Sequence, residues 1–373
     1  MRIHEGFQLT AMQNVLGLMS GTSLDGVDVA LLSTDGDRIE GFGPTLFRAY
    51  DDAKRELLKA ALIDARQLAD RTSRPGLLRE AERMVTDAHS QAIAAWRQEN
   101  PELQVDLIGF HGQTVFHDAH QALTVQIGDG AALAKETGVP VVYDFRAADV
   151  AAGGGGAPFV PVYHRALVSA AGLAAPVAVI NIGGVANITW IGADGAMRAG
   201  DTGPGNALID DFVQNRLGVA FDRDGALAAS GSINETALSS LMADPWFDEP
   251  FPKSLDRDVF SPAPVHALTN EDGAATLAAF TAHTIAAGIV AAGGAETIVI
   301  VGGGAHNRSI LRWLGEALGA PVRIASELGW KGDFIEAQAF AYLAARSIAG
   351  LPLSFPETTG VGKPMTGGVF VRP

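Results

Sequence analysis

The stretch Val15-Leu16-Gly17-Leu18-Met19-Ser20-Gly21-Thr22-Ser23-Leu24-Asp25-Gly26-Val27-Asp28 is where the fold is first legible. An apolar run, Val15 to Met19, stops at a Ser-Gly-Thr-Ser cluster. A second, Val27 to Leu32, starts directly after Asp25-Gly26. Two apolar runs joined by Gly, Ser and Thr predict a β-hairpin. Such a turn offers backbone N–H groups and hydroxyls that can cradle a phosphate, although an ordinary polar turn uses the same residue types. The segment is neither a P-loop nor a G-x-G-x-x-G fingerprint. Its candidate nucleotide-binding residues are Gly21, Thr22, Ser23, Leu24, Asp25, Gly26, Val27 and Asp28.

Working outward, the same unit recurs. Val177 to Ile182 reads as a strand, Gly183-Gly184 as a turn and Ala186 to Ile191 as a second strand, with Asn181, Gly183 and Gly184 as phosphate-side candidates. Between and after the two hairpins, helical and strand patterns alternate. Helices are expected at 51–69, 76–99 and 128–137, from Asn206 to Leu217, about Ala274 to Ala292, Ser309 to Leu318 and about Phe334 to Ile348. Strands are expected from Val105 to Phe110, Val139 to Tyr143 and Thr297 to Val301. A duplicated strand–glycine–strand unit in an alternating chain suggests two related α/β domains. A third cluster, Gly302-Gly303-Gly304, follows a buried strand and precedes a helix. There backbone N–H groups can face a nucleotide and the chain can lie flat against a base or ribose, with Asn307 close behind.

Composition narrows the function classes. The 373 residues are 47% hydrophobic and 18% charged, enough for two cores. A formal net charge of −15 argues against a nucleic-acid backbone or an anionic membrane as partner. A bound phosphate must therefore be held by local N–H groups, a few cations and a metal ion. With no cysteine, disulfides, thiolate catalysis and Cys-ligated zinc are excluded, which fits a reducing cytoplasm. Met1 to Gln13 lacks the long apolar region of a signal peptide and reads as a short extension. The apolar stretch Thr276 to Ala292 is shorter than the roughly 20 residues of a membrane span and reads as a buried helix.

Several single residues stand out. Asp201 opens Asp201-Thr202-Gly203-Pro204-Gly205-Asn206, a segment whose Gly and Pro predict irregular backbone. A carboxylate there suits a general base or an outer-shell group for Mg²⁺, and equally a turn former. His111 and His117 flank Gly112-Gln113-Thr114 with no third ligand at metal spacing, so hydrogen-bonded loop histidines are expected. Arg146 could grip a substrate carboxylate with its planar fork or serve a structural ion pair. Glu336 lies in an apolar helix, where periodicity does not decide between a buried carboxylate with a role and a surface residue.

Taken together these pieces resemble the actin-like ATPase superfamily of sugar kinases and chaperones. More narrowly, Gly17 to Asp28, Gly112-Gln113-Thr114, Gln126-Ile127-Gly128-Asp129, Asp144-Phe145-Arg146, Gly155-Gly156-Ala157-Pro158, Asn181-Ile182-Gly183-Gly184, Asp201 to Asn206 and Pro252-Lys253-Ser254 resemble the anhydro-N-acetylmuramic acid kinase family from about Gly17 to Phe370. Leu255-Asp256-Arg257-Asp258 departs from some relatives, which have Thr-Gly-Arg-Glu. The resemblance implies two actin-like, ribonuclease H-like α/β domains around a nucleotide and substrate cleft. The expected lobes are 14–140 plus 340–373, and 141–339. It further implies ATP and Mg²⁺ as cofactors with metal ligands unassigned, Asp201 as general base, and Arg146, Glu336, Gly205 and Asn206 at the sugar. The reaction implied is hydrolytic opening of the 1,6-anhydro sugar with phosphorylation of O6, in cytoplasmic cell-wall recycling, and the family allows a homodimer. A levoglucosan-type anhydro-sugar kinase and a non-enzymatic actin- or Hsp70-like nucleotide switch are the alternatives.

Overall fold

The computed structural model describes residues 11–373. The reading of Met1 to Gln13 as an extension therefore falls mostly outside the described residues, and Gln13 already belongs to the first strand. In chain order come β1 (Gln13–Ser20), β2 (Gly26–Thr34), β3 (Ile39–Ala49), α1 (Asp52–Ala65), α2 (Leu78–Glu99), β4 (Leu107–Asp118), β5 (Leu123–Ile127), α3 (Gly130–Thr137), β6 (Val141–Tyr143), α4 (Ala147–Ala151) and α5 (Val160–Ala170). Then follow β7 (Val177–Ile182), β8 (Val185–Ile191), β9 (Met197–Pro204), α6 (Ala207–Leu217), α7 (Ala226–Ser230), α8 (Glu235–Leu241), α9 (Asn270–Ala292), β10 (Thr297–Val301), α10 (Arg308–Leu318) and β11 (Arg323–Ile324). The chain ends with α11 (Ile335–Ile348), α12 (Pro356–Thr359) and β12 (Val369–Val371).

These elements form two compact units, one of residues 11–170 with 334–373, the other of residues 171–333. Each holds a mixed sheet, and the two sheets share one topology. In the first unit β3, β2 and β1 meander antiparallel, then β4 and β6 continue parallel to β1. In the second, β9, β8 and β7 meander, then β10 and β11 continue parallel to β7. Counting only the five strands the two sheets share, each in chain order, both read 3-2-1-4-5, so the duplicated hairpin belongs to a duplicated sheet. In the first unit β5 adds to β4 and β12 to β6.

The unit boundaries differ from those expected at 140/141 and 339/340. Strand β6 pairs with β4 and β12 and cannot leave the first sheet. Residues up to Ala170 stay with it, and the return begins at Phe334, so all of α11 and Glu336 belong to the first unit. Helix α11 packs on β1, β2 and β4. The approach is so close that a Cβ on Gly17 would lie 1.8 Å from the carbonyl oxygen of Ala337, and one on Gly109 2.1 Å from that of Phe340. Only glycine lets the helix backbone touch the sheet there.

The core of the second unit is α9, started by the Thr269 hydroxyl, which accepts from the Asp272 N–H, with Glu271 and Asp272 complementing the helix dipole. At 23 residues it is longer than expected, and by length and composition it could span a membrane. Most of it is instead buried against α6, α7, α8, α10 and β9. Five strands escaped the sequence reading: β3 and β9, the third arms of the two meanders, β5, and the short edge strands β11 and β12. The expected irregular segment after Asp201 is the end of β9, because pairing with β8 overrides local Gly and Pro preference. His111-Gly112-Gln113-Thr114 likewise lies inside β4, which continues to Asp118 by pairing with β5.

Candidate active site

In the first unit the turn from Gly21 to Asp25 is closed by the Leu24 N–H donating to the Gly21 carbonyl at 3.2 Å. Leu24 takes φ +54°, costly for a residue with a Cβ by about 1–2 kcal/mol, and its buried side chain offsets that strain. Thr22, Ser23 and Asp25 are exposed, and the Ser23 hydroxyl donates to Asp25 Oδ1 at 2.6 Å. Beneath the turn runs a buried neutral chain. The Tyr50 hydroxyl donates to Ser20 Oγ at 2.9 Å, Ser20 donates to Gln113 Oε1 at 2.6 Å, and Gln113 Nε2 donates to the Gly21 carbonyl at 3.1 Å. Burial pushes the Tyr50 hydroxyl up to about 12, against a smaller opposing effect of its Ser20 bond, so the chain stays uncharged at neutral pH.

Arg146 sits at the start of α4 between the rings of Phe159 and Phe340. Its Nε donates to His111 Nε2 at 3.1 Å and its Nη1 to the Gly156 carbonyl at 2.8 Å, leaving Nη2 without a partner among the described residues. His111 Nδ1 donates in turn to the Gly112 carbonyl at 2.8 Å, the tautomer its acceptor role requires. Burial, reinforced by the Arg146 charge, drives the His111 imidazole well below its usual value and keeps it neutral. His117, in β4, is also hydrogen-bonded, across to Thr124 Oγ1 of β5 at 2.9 Å. Glu336, in the first turn of α11, keeps solvent contact. Partial desolvation raises its carboxyl and the nearby Arg146 charge opposes that rise, with no contact ion pair between them. The first unit thus brings Arg146 and Glu336 together electrostatically.

Sequence reasoning missed Asp149, which is fully buried. Its carboxylate accepts from Gly156 N at 2.7 Å, Thr359 Oγ1 at 2.8 Å and Ser354 Oγ at 2.5 Å. It holds the glycine turn whose carbonyl Arg146 uses. The available signal was a lone acid inside Ala147-Ala148-Asp149-Val150-Ala151.

In the second unit the Gly183-Gly184 turn is braced by main chain. Asn206 N donates to the Gly183 carbonyl at 2.8 Å, and Gly205 N to that of Gly184 at 2.9 Å. Asn206 Nδ2 reaches the Ile182 carbonyl at 3.3 Å, so Gly205 and Asn206 first of all hold the hairpin. Gly302, at φ +79°, passes so near Asn181 that a Cβ would lie 2.3 Å from its Oδ1. Gly303 and Gly304 open a single 3-10 turn. Asn307 Oδ1 then accepts from Ser309 and Ile310 N–H, both at 3.1 Å. That side chain is the N-cap of α10, and two of the helix's leading N–H groups are already satisfied.

Asp201 lies in β9 opposite Asn187. Its backbone N–H donates to the Lys253 carbonyl at 2.8 Å and its Oδ2 accepts from Leu255 N at 2.7 Å. One carboxylate oxygen is therefore fixed, and Oδ1 has no donor among the described residues. Burial pushes the carboxyl up to about 6, against the lowering effect of the Leu255 bond. A recess of about 970 Å³ beside Met242, Phe251 and Val290 holds none of the candidate residues.

Among the described residues no three His, Asp or Glu side chains converge on a metal position. Mg²⁺ arriving with ATP needs no such cage, being held by phosphate oxygens with one or two protein oxygens. The Thr22 and Ser23 hydroxyls and the Asp25 carboxylate form a donor set of that hard-oxygen kind.

Comparison with known proteins agrees over the whole chain. The profile described as anhydro-N-acetylmuramic acid kinase matches residues 13–372. A protein of that name from Rhodopseudomonas palustris strain BisB18 is 55% identical, covering 96% of this chain and 99% of its own. One from Methylobacterium nodulans is 52% identical, again covering 96% and 99%. Among solved structures the likeness is distant: the activator of 2-hydroxyisocaproyl-CoA dehydratase from Clostridium difficile, with bound ADPNP, matches at TM-score 0.45 and 14% identity over 90% of this chain and 96% of that one. With a duplicated α/β architecture, two glycine hairpins and a raised-pKa aspartate already in place, a match of this extent leaves one assignment: the chain belongs to the anhydro-N-acetylmuramic acid kinase family.

Proposed function

We propose that this kinase opens 1,6-anhydro-N-acetylmuramic acid with Asp201 as general base and passes the γ-phosphoryl group of ATP to the sugar O6. The carrying observation is the Asp201 carboxylate, with one oxygen held by Leu255 N, the other without a protein donor, and a proton affinity lifted to about 6. A base contributes most when its pKa lies near the working pH. Asp201 takes a proton from a water, the water oxygen bonds to C1, the C1–O6 bond breaks, and O6 takes the phosphoryl group as ADP leaves. The products are N-acetylmuramic acid 6-phosphate and ADP. Phosphoryl transfer asks the protein for positioning and charge neutralisation.

The remaining residues bind and orient. The backbone and hydroxyls of Gly21 to Asp28 hold phosphate, Asn181, Gly183 and Gly184 offer a second phosphate turn, and Gly302, Gly303 and Gly304 flank the base and ribose. Asn307 supports that turn by capping α10. Thr22, Ser23 and Asp25 would hold Mg²⁺, which supplies charge neutralisation of the phosphates. The open Nη2 edge of Arg146 suits the lactyl carboxylate of a muramic sugar, and Glu336 suits a sugar hydroxyl. The protein acts in the cytoplasm, in cell-wall recycling, and a homodimer is compatible with this reading.

Asp201→Asn should retain ATP binding and lose at least about a hundredfold in turnover, the lower range for a general base. Full activity would refute the assignment. Phosphorylation run in oxygen-18 water should place label at the anomeric hydroxyl. Arg146→Ala should impair the muramic sugar more than levoglucosan, and equal loss on both would remove Arg146 from carboxylate recognition.

A further inference from the structure

The segment that holds Asp201 has no ladder of its own. Residues 253–256 are in neither helix nor strand, yet they contact Asp201 at both its backbone N–H and its carboxylate. Something must fix this strap. Lys253 Nζ donates to the carbonyls of Trp246 at 3.0 Å and Phe247 at 2.9 Å, both in the single 3-10 turn Pro245–Asp248, and lies 4.1 Å from the centroid of the Trp246 indole. Trp246 Nε1 returns a bond to the Ser254 carbonyl at 3.3 Å. On the other side the strap lies flat on β9, since a Cβ on Gly200 would come within 2.7 Å of Phe251 Cδ1 and 2.8 Å of the Lys253 carbonyl oxygen.

We propose that Lys253 is a positioning residue for Asp201: by tying the strap to the turn Pro245–Asp248 it fixes the Leu255 N–H that holds one oxygen of the catalytic carboxylate. This rests on Asp201 being the base. A lysine in a kinase invites a phosphate-binding role, but here the ammonium spends two donors on backbone carbonyls and covers an aromatic face with the rest. Losing the anchor frees the strap and weakens the one hydrogen bond that favours the ionised carboxylate, so the base is both less well aimed and harder to ionise. On the elements packed against β9, strand β8 carries no titratable group, α9 carries Glu271, Asp272 and His283, and the strap carries Lys253 and Asp256, with Arg257 next in the chain. The Asp201 shift traces to burial and to the Leu255 bond, with no contribution from those charges.

The test measures kcat and KM from pH 5 to 9 for Lys253→Met, Lys253→Arg, Gly200→Ala and Asp201→Asn. Lys253→Met is expected to lower kcat about tenfold, a fraction of the roughly 10²–10⁴-fold a general base supplies. It should move the acid limb of the kcat profile up by about half to one pH unit, part of the worth of a hydrogen bond to a charged group, since the bond is weakened and not removed, with KM for ATP nearly unchanged. Lys253→Arg, which keeps a cation able to reach both carbonyls, should restore most of kcat and the limb. Gly200→Ala should move the limb the same way by pushing the strap off β9. A wild-type limb in Lys253→Met, or a change confined to KM for ATP, overturns the proposal. If Lys253→Met does not fold, a wild-type limb in Gly200→Ala overturns it instead. An inactive Asp201→Asn beside a wild-type limb in the strap variants sinks only the positioning role. A fully active Asp201→Asn sinks the base assignment and this inference with it.

Discussion

The two glycine hairpins occupy the same position in the same sheet topology, yet they are braced by different means. In the first unit the turn between β1 and β2 rests on side chains, through the buried relay Tyr50–Ser20–Gln113 ending on the Gly21 carbonyl. In the second the turn between β7 and β8 rests on main chain, with Gly205 and Asn206 donating to Gly184 and Gly183. A side-chain relay leaves the turn's own hydroxyls exposed for a ligand and can be weakened one bond at a time. A backbone brace tolerates no added atom. Beside it the second unit keeps a carboxylate, Asp201, ionisable near neutrality. A duplicated fold has thus been divided between a hydroxyl-bearing hairpin over a neutral relay and one that neighbours a carboxylate of raised proton affinity.

The largest effects should come where backbone meets backbone. Gly17→Ala would place a Cβ 1.8 Å from the Ala337 carbonyl oxygen, and Gly205→Ala one 2.2 Å from that of Gly183. Each should cost about 3 kcal/mol or more by overpacking, read from urea denaturation. A mild Gly205→Ala would break the claim that the second hairpin is backbone-braced. Next, Gln113→Leu removes the acceptor of the Ser20 hydroxyl and the side-chain donor to the Gly21 carbonyl, leaving that carbonyl only the Leu24 N–H. A loss of about 1–3 kcal/mol, with KM for ATP rising more than kcat falls, would sharpen the contrast, and an unchanged KM would contradict it.

Asp201→Asn tests the charged side of the comparison through stability. The folded carboxyl titrates at about 6 against an ordinary 3.8, so the folded state binds the proton more tightly than the unfolded one. Stability therefore falls as pH rises from about 4 to about 6 and is flat above. The variant should gain about 1–2 kcal/mol at pH 8 and nothing at pH 4, followed by melting temperature at both pH values. A gain of equal size at both would show that charge is not its cause. Smaller still, Tyr50→Phe removes one hydroxyl from the relay and should cost about 0.5–1.5 kcal/mol. Smallest in stability is Ser23→Ala, an exposed change expected within about 0.5 kcal/mol and visible only in KM for ATP. A larger loss would mean the turn is held by its own side chains.

Both hairpins were readable because apolar runs broken by Gly, Ser and Thr are a local signal, and turn chemistry acts over a few residues. Strand β9 was not, because Gly200, Gly203 and Pro204 speak against a strand and only pairing with β8 overrules them. The split of the chain at Ala170 rather than 140 was equally hidden, since β6 joins the first sheet through β4, more than twenty residues earlier. Asp201 and Arg146 could be chosen by residue type. Asp149 and Tyr50 act through partners distant in the chain, and Lys253 acts on Asp201 only because its strap folds back onto β9.

The two glycine turns, the alternation of β and α, and the kinase family were already legible in the chain, because each is written in short strings of residue types. The tertiary structure alone decided that Asp201 is a strand residue with one oxygen fixed, that Arg146 spends two of its nitrogens on His111 and Gly156, and that Asn307 is a helix cap. Proton affinity and donor availability depend on burial and on partners brought in from far along the chain, and neither quantity exists until the chain has folded.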